Sequence, residues 1–310
     1  MTPAEPLVSI ITPSYNHAAY IEQTIKSIRE QDYPHIEHLV IDGGSTDNTV
    51  EILRKYEDRL KWVSEKDGGQ TNAINKGFRK ATGDIMAWLN SDDVYMPGAV
   101  RAVVEHFEQH PEDKFVYGDV LAVDEHEQSY GVRGHVHQGD QHELVNGLNF
   151  IVQPAAFWRR EVWETMGELD ETLHYMMDYE YWMRIAGRYN LRHIPVTVAK
   201  ERMYAAAKTF SGAVTRMEEM EAVAKRHGGQ GIPYNYRAEA AANYAARGFK
   251  RLGSGEWAGA KADLGRVGSI RPPLLTFLRY FGAMSILGPE SISGLWLRKN
   301  QRQAEQKAKT

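Results

Sequence analysis

The chain has no cysteine among its 310 residues, which excludes disulfide scaffolds, thiolate zinc sites, iron–sulfur clusters and cysteine nucleophiles. Reducing and oxidising compartments are equally compatible with that absence. Long apolar runs are missing too. The most apolar late stretch, 274–297, is broken by Arg279, Pro289 and Glu290, short of the roughly 18 apolar residues that a membrane-spanning helix needs. The opening MTPAEPLVSIITPSYN lacks a basic segment followed by an apolar one, so it does not read as a secretion signal, and a cytoplasmic location is the expectation. Internal repeats and low-complexity tracts are also lacking.

What is present is enough chain for a sizeable core and about two domains. The net charge of −4 hides an uneven distribution. Residues 211–310 carry 16 Lys/Arg and 8 Asp/Glu; removing these from the totals of 37 and 41 leaves 21 basic and 33 acidic side chains in residues 1–210. An acidic body argues against nucleic acid as a partner, which needs a cationic surface to displace counterions from phosphates. It suits a metal site built from carboxylates, and with no thiolate available that metal is a hard cation held by oxygen.

Four short segments, LVSIIT at 7–12, IEHLVI at 36–41, LKWVSE at 60–65 and DIMAWL at 84–89, are rich in β-branched and aromatic residues and end at Gly, Asp or Asn clusters, which predicts parallel strands. Helical periodicity lies between them at Ile21, Ile25 and Ile28, at Val50 and Leu53, and at Ile74 and Phe78. A further helix, with Pro97 at its first position, carries Val100, Val103, Val104 and Phe107, as proline's fixed φ allows. This alternation predicts an α/β protein with a doubly wound sheet whose ligands bind beyond the carboxyl ends of the strands. The polar clusters TPSYN, DGGSTDNT, EKDGGQTN and NSDD fall at those ends. Later text predicts a strand at FVYGDVLAV, a connection over 131–149, a helix from about Met177 to Tyr189, and helices around 238–252 and Lys261.

The NSDD segment, Asn90 to Asp93, follows an apolar strand. Adjacent carboxylates repel each other, and a divalent cation or its ligand is the usual reason to keep them together; a helix cap occupies at most one of the two. With VSIITPSYN, DGGSTDNT, DGGQTNAINKGF, ATGDIMAWLNSDD and MDYEYWMRIA in this order and spacing, residues 7–210 resemble family 2 glycosyltransferases of the GT-A fold, in the bacterial branch that makes cell-surface and exported polysaccharides. The resemblance implies a Rossmann-like, mostly parallel sheet flanked by helices over residues 1–210, with 211–310 as a C-terminal helical extension.

Carried across by position, the resemblance makes Pro13, Tyr15 and Asn16 the loop against the nucleotide base and Asp42 its hydrogen-bonding reader. Asp42 equally reads as a turn residue before Gly43–Gly44. Ser45, Thr46 and Asp47 read as caps for the helix that begins near Asn48. Asp67, Gln70 and Asn75 correspond to contacts along the diphosphate and donor sugar, Asp92 to a ribose partner and Asp93 to the metal ligand. The family's Asp-x-Asp has Asn90 at its first position here, and Tyr204 stands where many relatives carry a metal-ligand His, four residues before Lys208. Asp178 corresponds to the catalytic base at a helix start; Glu180 competes for that role but lies about 200° away around a helix. Gln153 and Trp182 are the acceptor-side residues, with core packing as the other reading of Trp182.

The implied reaction is transfer of a sugar from a nucleoside-diphosphate donor (UDP, GDP or dTDP) to a hydroxyl of a glycan or lipid-linked acceptor. It inverts the anomeric centre, with Mn or Mg as the divalent cation. A catalytically silent nucleotide- or sugar-binding subunit of a polysaccharide assembly complex stays open because of Asn90 and Tyr204. A nucleotidyltransferase fits less well, because no Gly-rich basic loop follows the first strand. The stretch 271–299 interleaves Leu, aromatics and basic residues, a pattern that suits the headgroup region at the inner face of the plasma membrane. It equally suits packing on the catalytic domain or across a homodimer.

Overall fold

The computed structural model describes residues 5–133, 136–204, 207–208 and 212–287, with side chains as far as 282. The predicted strands form β1 (Val8–Ser14), β2 (Ile36–Asp42), β3 (Lys61–Ser64) and β4 (Ile85–Trp88). They pair in parallel in the order β3–β2–β1–β4. All seven residues of β1 are buried, as a central parallel strand covered on both faces requires. The ends of β3, at the sheet edge, are exposed.

Helices α1 (Ile21–Arg29), α2 (Thr49–Arg54), α3 (Gln70–Lys80) and α4 (Ala99–Gln109) connect or follow these strands. Val8 and Ile10 join Ile28, Val100, Val104 and Phe107 in one core cluster. On α3, a Cβ at Gly77 would lie 2.4 Å from Ile11 Cγ2, so only glycine lets that helix rest on β1. The α4 helix starts at Ala99, after Gly98 with φ 77°; Pro97 therefore precedes the cap and does not occupy the first turn.

The second half of the sheet is mixed. Here β5 (Val94–Tyr95), β6 (Phe115–Val123), β7 (Ser129–Val132), β8 (Ala156–Arg159) and β9 (Leu191–Arg202) extend the order to β4–β8–β6–β9–β5, with β7 on β6. β8 runs antiparallel to both neighbours, β4 and β6, while β6 and β9 are parallel. Parallel pairing thus describes β1–β4, and strand composition alone carries no sign of the direction in which β8 enters. The connection over 131–149 contains the end of β7 and helix α5 (Gln141–Asn146), neither of which has an extended periodic pattern.

Remaining helices are α6 (Arg160–Met166), α7 (Met177–Ala186), α8 (Ala213–Arg226), α9 (Arg237–Gly253), α10 (Trp257–Ile270) and α11 (Leu274–Leu287). Two compact units result. The first takes the chain to Asp140, Phe150–Thr172 and Arg184–Met203, and the second takes Gln141–Asn149, Leu173–Met183 and the chain from Tyr204. The sheet belongs to the first. The expected cut near residue 210 is close to the boundary at Tyr204, and two earlier stretches join the helical unit. Among the described residues no helix is long and apolar enough to cross a membrane.

Candidate active site

Three loops at the carboxyl ends of β1, β2 and β4 are fastened to one another. Pro13 pairs only with Ile41 of β2, because the pairing of β1 with β4 has ended at Ile11, so a residue without an N–H is tolerated there. Asn16 adopts φ 53°, a left-handed conformation that Asn accepts more readily than most residues. Its N–H donates to Ser45 Oγ at 2.7 Å and its Oδ1 accepts the Thr46 N–H at 2.8 Å. His17 donates its N–H to Thr49 Oγ1 at 3.1 Å and places Nδ1 2.6 Å from Ser91 Oγ. Asp47 accepts the Ala18 and Thr49 N–H groups, both at 3.0 Å. The Ser45–Asp47 residues therefore staple one loop to the next as well as opening α2. Tyr15, on this frame, is 59% exposed.

Asp42 is fully buried. Its carboxylate accepts the Gly44 and Ser45 N–H groups at 3.1 and 2.9 Å and the Ser45 and Ser64 hydroxyls at 2.5 and 2.6 Å. These bonds make it the organiser of the turn, a role that is compatible with the turn aiming its carboxylate. Asp67 approaches the same turn, since a Cβ at Gly43 would lie 3.1 Å from its Oδ2, and its Oδ1 accepts the Gly69 N–H at 2.8 Å.

A chain of amides explains Asn90. Gln70 Nε2 donates to Asn90 Oδ1 at 2.9 Å, Asn90 Nδ2 donates to Gln153 Oε1 at 2.9 Å, and Gln153 Nε2 donates to the Trp88 carbonyl at 2.7 Å. Only a residue that both accepts and donates completes this relay; a carboxylate at position 90 would meet Gln153 Oε1 as a second acceptor. Gln153 is buried, and through this relay it braces the loop. Asn75, expected on the donor, is likewise fully buried. Its Nδ2 donates to Leu169 O and Glu171 Oε1 and its Oδ1 accepts the Leu169 N–H, all at 3.0 Å, which fastens α3 to the loop after α6.

The two-residue strand β5 pairs with β9, and this brings Glu201 and Arg202 to Asp92 and Asp93. Asp93 is 4% exposed, and its Oδ1 accepts the Arg202 N–H at 3.0 Å. The Arg202 guanidinium donates to Asp92 O and to Gln23 Oε1, each at 2.6 Å, and lies 4.8 Å from the Tyr20 ring centroid. Burial, with the negative charge of Asp92 and Glu201, holds the Asp93 carboxyl well above the ordinary carboxylate range. Burial raises Glu201 as well, opposed by Arg133 at 3.0 Å. Asp93 is buried, Asp92 and Glu201 are half-buried, and the three carboxylates repel one another. Elsewhere, His110, Glu112 and Asp113 converge within 4.8 Å, but there Asp113 is engaged by His106 at 2.8 Å and Arg192 at 3.2 Å.

In the helical unit, Asp178 is half-buried in the first turn of α7 and its Oδ1 accepts the Tyr179 N–H at 2.7 Å. Glu219 of α8 accepts three consecutive N–H groups just before that helix, from His174 at 3.0 Å, Tyr175 at 2.7 Å and Met176 at 3.2 Å. Lys208 feels both Asp178 and Glu219, although burial pushes its ammonium down overall. Glu180 is buried with Oε1 3.5 Å from His227 Nε2, directed away from the role of base. Trp182 is fully buried. Sequence reasoning missed His17, Glu201, Arg202 and Glu219. The Thr49 and Ser91 partners of His17 are remote in sequence, and only the β5–β9 pairing announces Glu201 and Arg202.

Comparison with known proteins gives a consistent result. Residues 9–167, more than half of the chain, match the family described as Glycosyl transferase family 2. An uncharacterised glycosyltransferase of Rickettsia prowazekii is 29% identical over 228 residues, covering 70% of each protein. The putative teichuronic acid biosynthesis glycosyltransferase TuaG of Bacillus subtilis is 45% identical over 109 residues, 34% of this chain and 43% of that one. Among solved structures, S. aureus TarS 1–349 in complex with UDP-GlcNAc superposes with a TM-score of 0.61 at 18% identity, covering 98% of this chain and 91% of that one. The mannosyltransferase PcManGT of Pyrobaculum calidifontis, in complex with GDP-Man and Mn2+, gives 0.57 at 21% identity, covering 98% and 87%. At such identities these likenesses show the fold, which is GT-A, and the chain spans 55% of the longer TarS chain. With the family matched across the strands and loops that carry the polar cluster, the chain belongs to glycosyl transferase family 2 and is a glycosyltransferase.

Proposed function

We propose that this glycosyltransferase moves a sugar from a nucleoside diphosphate to a hydroxyl of a growing glycan or lipid-linked saccharide, inverting the anomeric centre, in bacterial cell-envelope polysaccharide synthesis. The observation that carries the reading is the placement of Asp92 and Asp93 at the carboxyl end of β4, tied through Ser91 and His17 to the loop that exposes Tyr15. Support comes also from one relative named as a putative teichuronic acid biosynthesis glycosyltransferase and from fold neighbours solved with UDP-GlcNAc or with GDP-Man and Mn2+.

In this mechanism Tyr15, on the turn shaped by Pro13 and Asn16, lies along the base, and Asp42 holds the adjoining turn. Asp92 meets the ribose, and Asp67 and Gln70 meet the diphosphate and sugar. Asp93, with Asp92 and Glu201 beside it, would hold a divalent cation, Mn or Mg, which when bound neutralises charge gained by the departing diphosphate. Asp178 accepts the proton of the acceptor hydroxyl as that oxygen attacks the anomeric carbon. The bond to the diphosphate breaks on the opposite face, which gives inversion in one displacement without a covalent intermediate. Asn75 and Gln153 brace the loops of the sheet unit from within.

A thermal-shift panel of UDP, GDP and dTDP, each with and without Mn, tests the donor reading, since a ligand selective for the folded state raises its stability. One nucleotide is expected to raise the melting temperature, and more so with Mn. A flat response to all three contradicts the reading.

A further inference from the structure

Residues 212–287 answer all of their own negative charge. From 212 to 287 there are six acidic residues, and each has a partner in the fold. Glu218 lies 3.4 Å from Arg247, Glu221 3.0 Å from Lys225, Glu256 3.7 Å from Arg251, and Asp263 2.7 and 2.8 Å from Arg247 and Arg251. Glu239 pairs with Arg216, and Glu219 binds the backbone before α7. Four cations, Lys250, Lys261, Arg271 and Arg279, are exposed and form no ion pair among the described residues. The basic excess of this region is therefore displayed outward.

The same surface displays apolar side chains. On α11, Leu274, Leu275 and Leu278 are 68%, 76% and 52% exposed, and Arg279 is the one charged residue among fourteen. Leu274 and Leu278 lie one turn apart on one stripe, and Leu275 and Arg279 on the next. The stripe continues onto α9, where Phe249, 54% exposed, has its ring centroid 5.7 Å from that of Phe281. Large apolar side chains gathered on one face mark a contact surface.

We propose that this face of α9 and α11 docks on an anionic lipid bilayer, with Leu274, Leu275 and Leu278 in the headgroup layer and Arg271, Arg279 and Lys250 on lipid phosphates. Charge decides between occupants. Protein interfaces keep charges out of their centres, whereas unpaired basic residues interleaved with Leu and Phe suit an anionic leaflet. At fourteen residues, α11 is too short to span, so the contact is interfacial. The LWLRK segment at 295–299, part of the same sequence pattern, lies outside the described residues. The inference stands on this surface alone and does not depend on the donor or acceptor.

The test is co-sedimentation of the full chain with phosphatidylcholine vesicles containing one-third phosphatidylglycerol, and with pure phosphatidylcholine vesicles. Binding is expected to the anionic vesicles and to fall on going from about 0.1 M to about 0.5 M salt. Arg271→Glu with Arg279→Glu should weaken it by about tenfold or more, and Leu274→Asp, Leu275→Asp and Leu278→Asp together should abolish it. The substituted side chains are exposed, and an unchanged melting temperature confirms that each variant folds. Failure to sediment with the anionic vesicles at low salt overturns the proposal. So does equal binding to neutral vesicles, or light scattering that shows a dimer dissolved by the three leucine substitutions.

Discussion

The two units treat their carboxylates in opposite ways. In the sheet unit, Asp92, Asp93 and Glu201 crowd together, and burial with mutual repulsion raises Asp93 and Glu201. In the helical unit, hydrogen bonds from Arg247 hold Asp263 below its ordinary value, and hydrogen bonds from Arg266 and Lys225 outweigh burial to lower Glu221. In the proposed function the crowded carboxylates of the sheet unit meet the donor and its cation. Excess positive charge left on the surface of the other unit faces a different kind of partner.

The sharpest way to break this division is to separate binding from proton transfer. Asp178→Asn should lower transfer by about 10³-fold, within the range general bases contribute, while nucleotide binding by calorimetry stays at the wild-type level. Retained transfer would remove Asp178 from the role of base.

Next in size is Asp263→Ala, which leaves two arginines around an empty position and should cost about 3 kcal/mol of stability. Asp263 is lower in the folded than in the unfolded chain, so its contribution is full above the ordinary carboxylate range and is lost as pH falls through it. Melting curves of wild type and variant should therefore converge in acid. A gap independent of pH contradicts the pairing.

Glu219→Gln tests the entry to α7. An amide NH2 turned toward three N–H groups disturbs the turn before Asp178, and kcat should fall about tenfold with the donor KM unchanged. Equal loss in kcat/KM through KM alone would point to donor binding instead.

The smallest effect has the opposite sign. Without added metal, Asp93→Asn should stabilise the fold by about 1 kcal/mol at alkaline pH, because it removes a charge that its neighbours repel. A raised carboxyl contributes stability at low pH that is lost as pH rises through its folded value. The advantage of the variant should therefore vanish in acid, where wild-type Asp93 is protonated; an advantage that grows in acid would contradict the crowding.

Much of the first unit was legible in the sequence. Alternating strand and helix patterns placed β1 to β4 within about a residue or two, and Asp92–Asp93 stood out because two adjacent carboxylates need a reason. FVYGDVLAV became β6 at both of its ends. What was not legible is how polar groups are satisfied. The letters of Asp42, Asn75 and Gln153 carry no sign of their bonds to Ser64, Leu169 and Trp88, which join parts of the chain 22, 94 and 65 residues apart. The Arg202 N–H reaches Asp93 because β5 and β9 pair across about a hundred residues, a contact that no local periodicity encodes. Asn90 read as a defect in the family's acidic pair; the amide relay from Gln70 to Trp88 gives it a physical reason.

The proposed role of the carboxylates at the end of β4 is metal-assisted departure of a nucleoside diphosphate. Its most direct measurement is release of free nucleoside diphosphate from the donor selected by the thermal-shift panel, with Mn present or removed by chelator, in wild type and Asp93→Ala. The account predicts release by the wild type that depends on Mn and is lost in the variant. Equal release by both proteins, unchanged by the chelator, would contradict it.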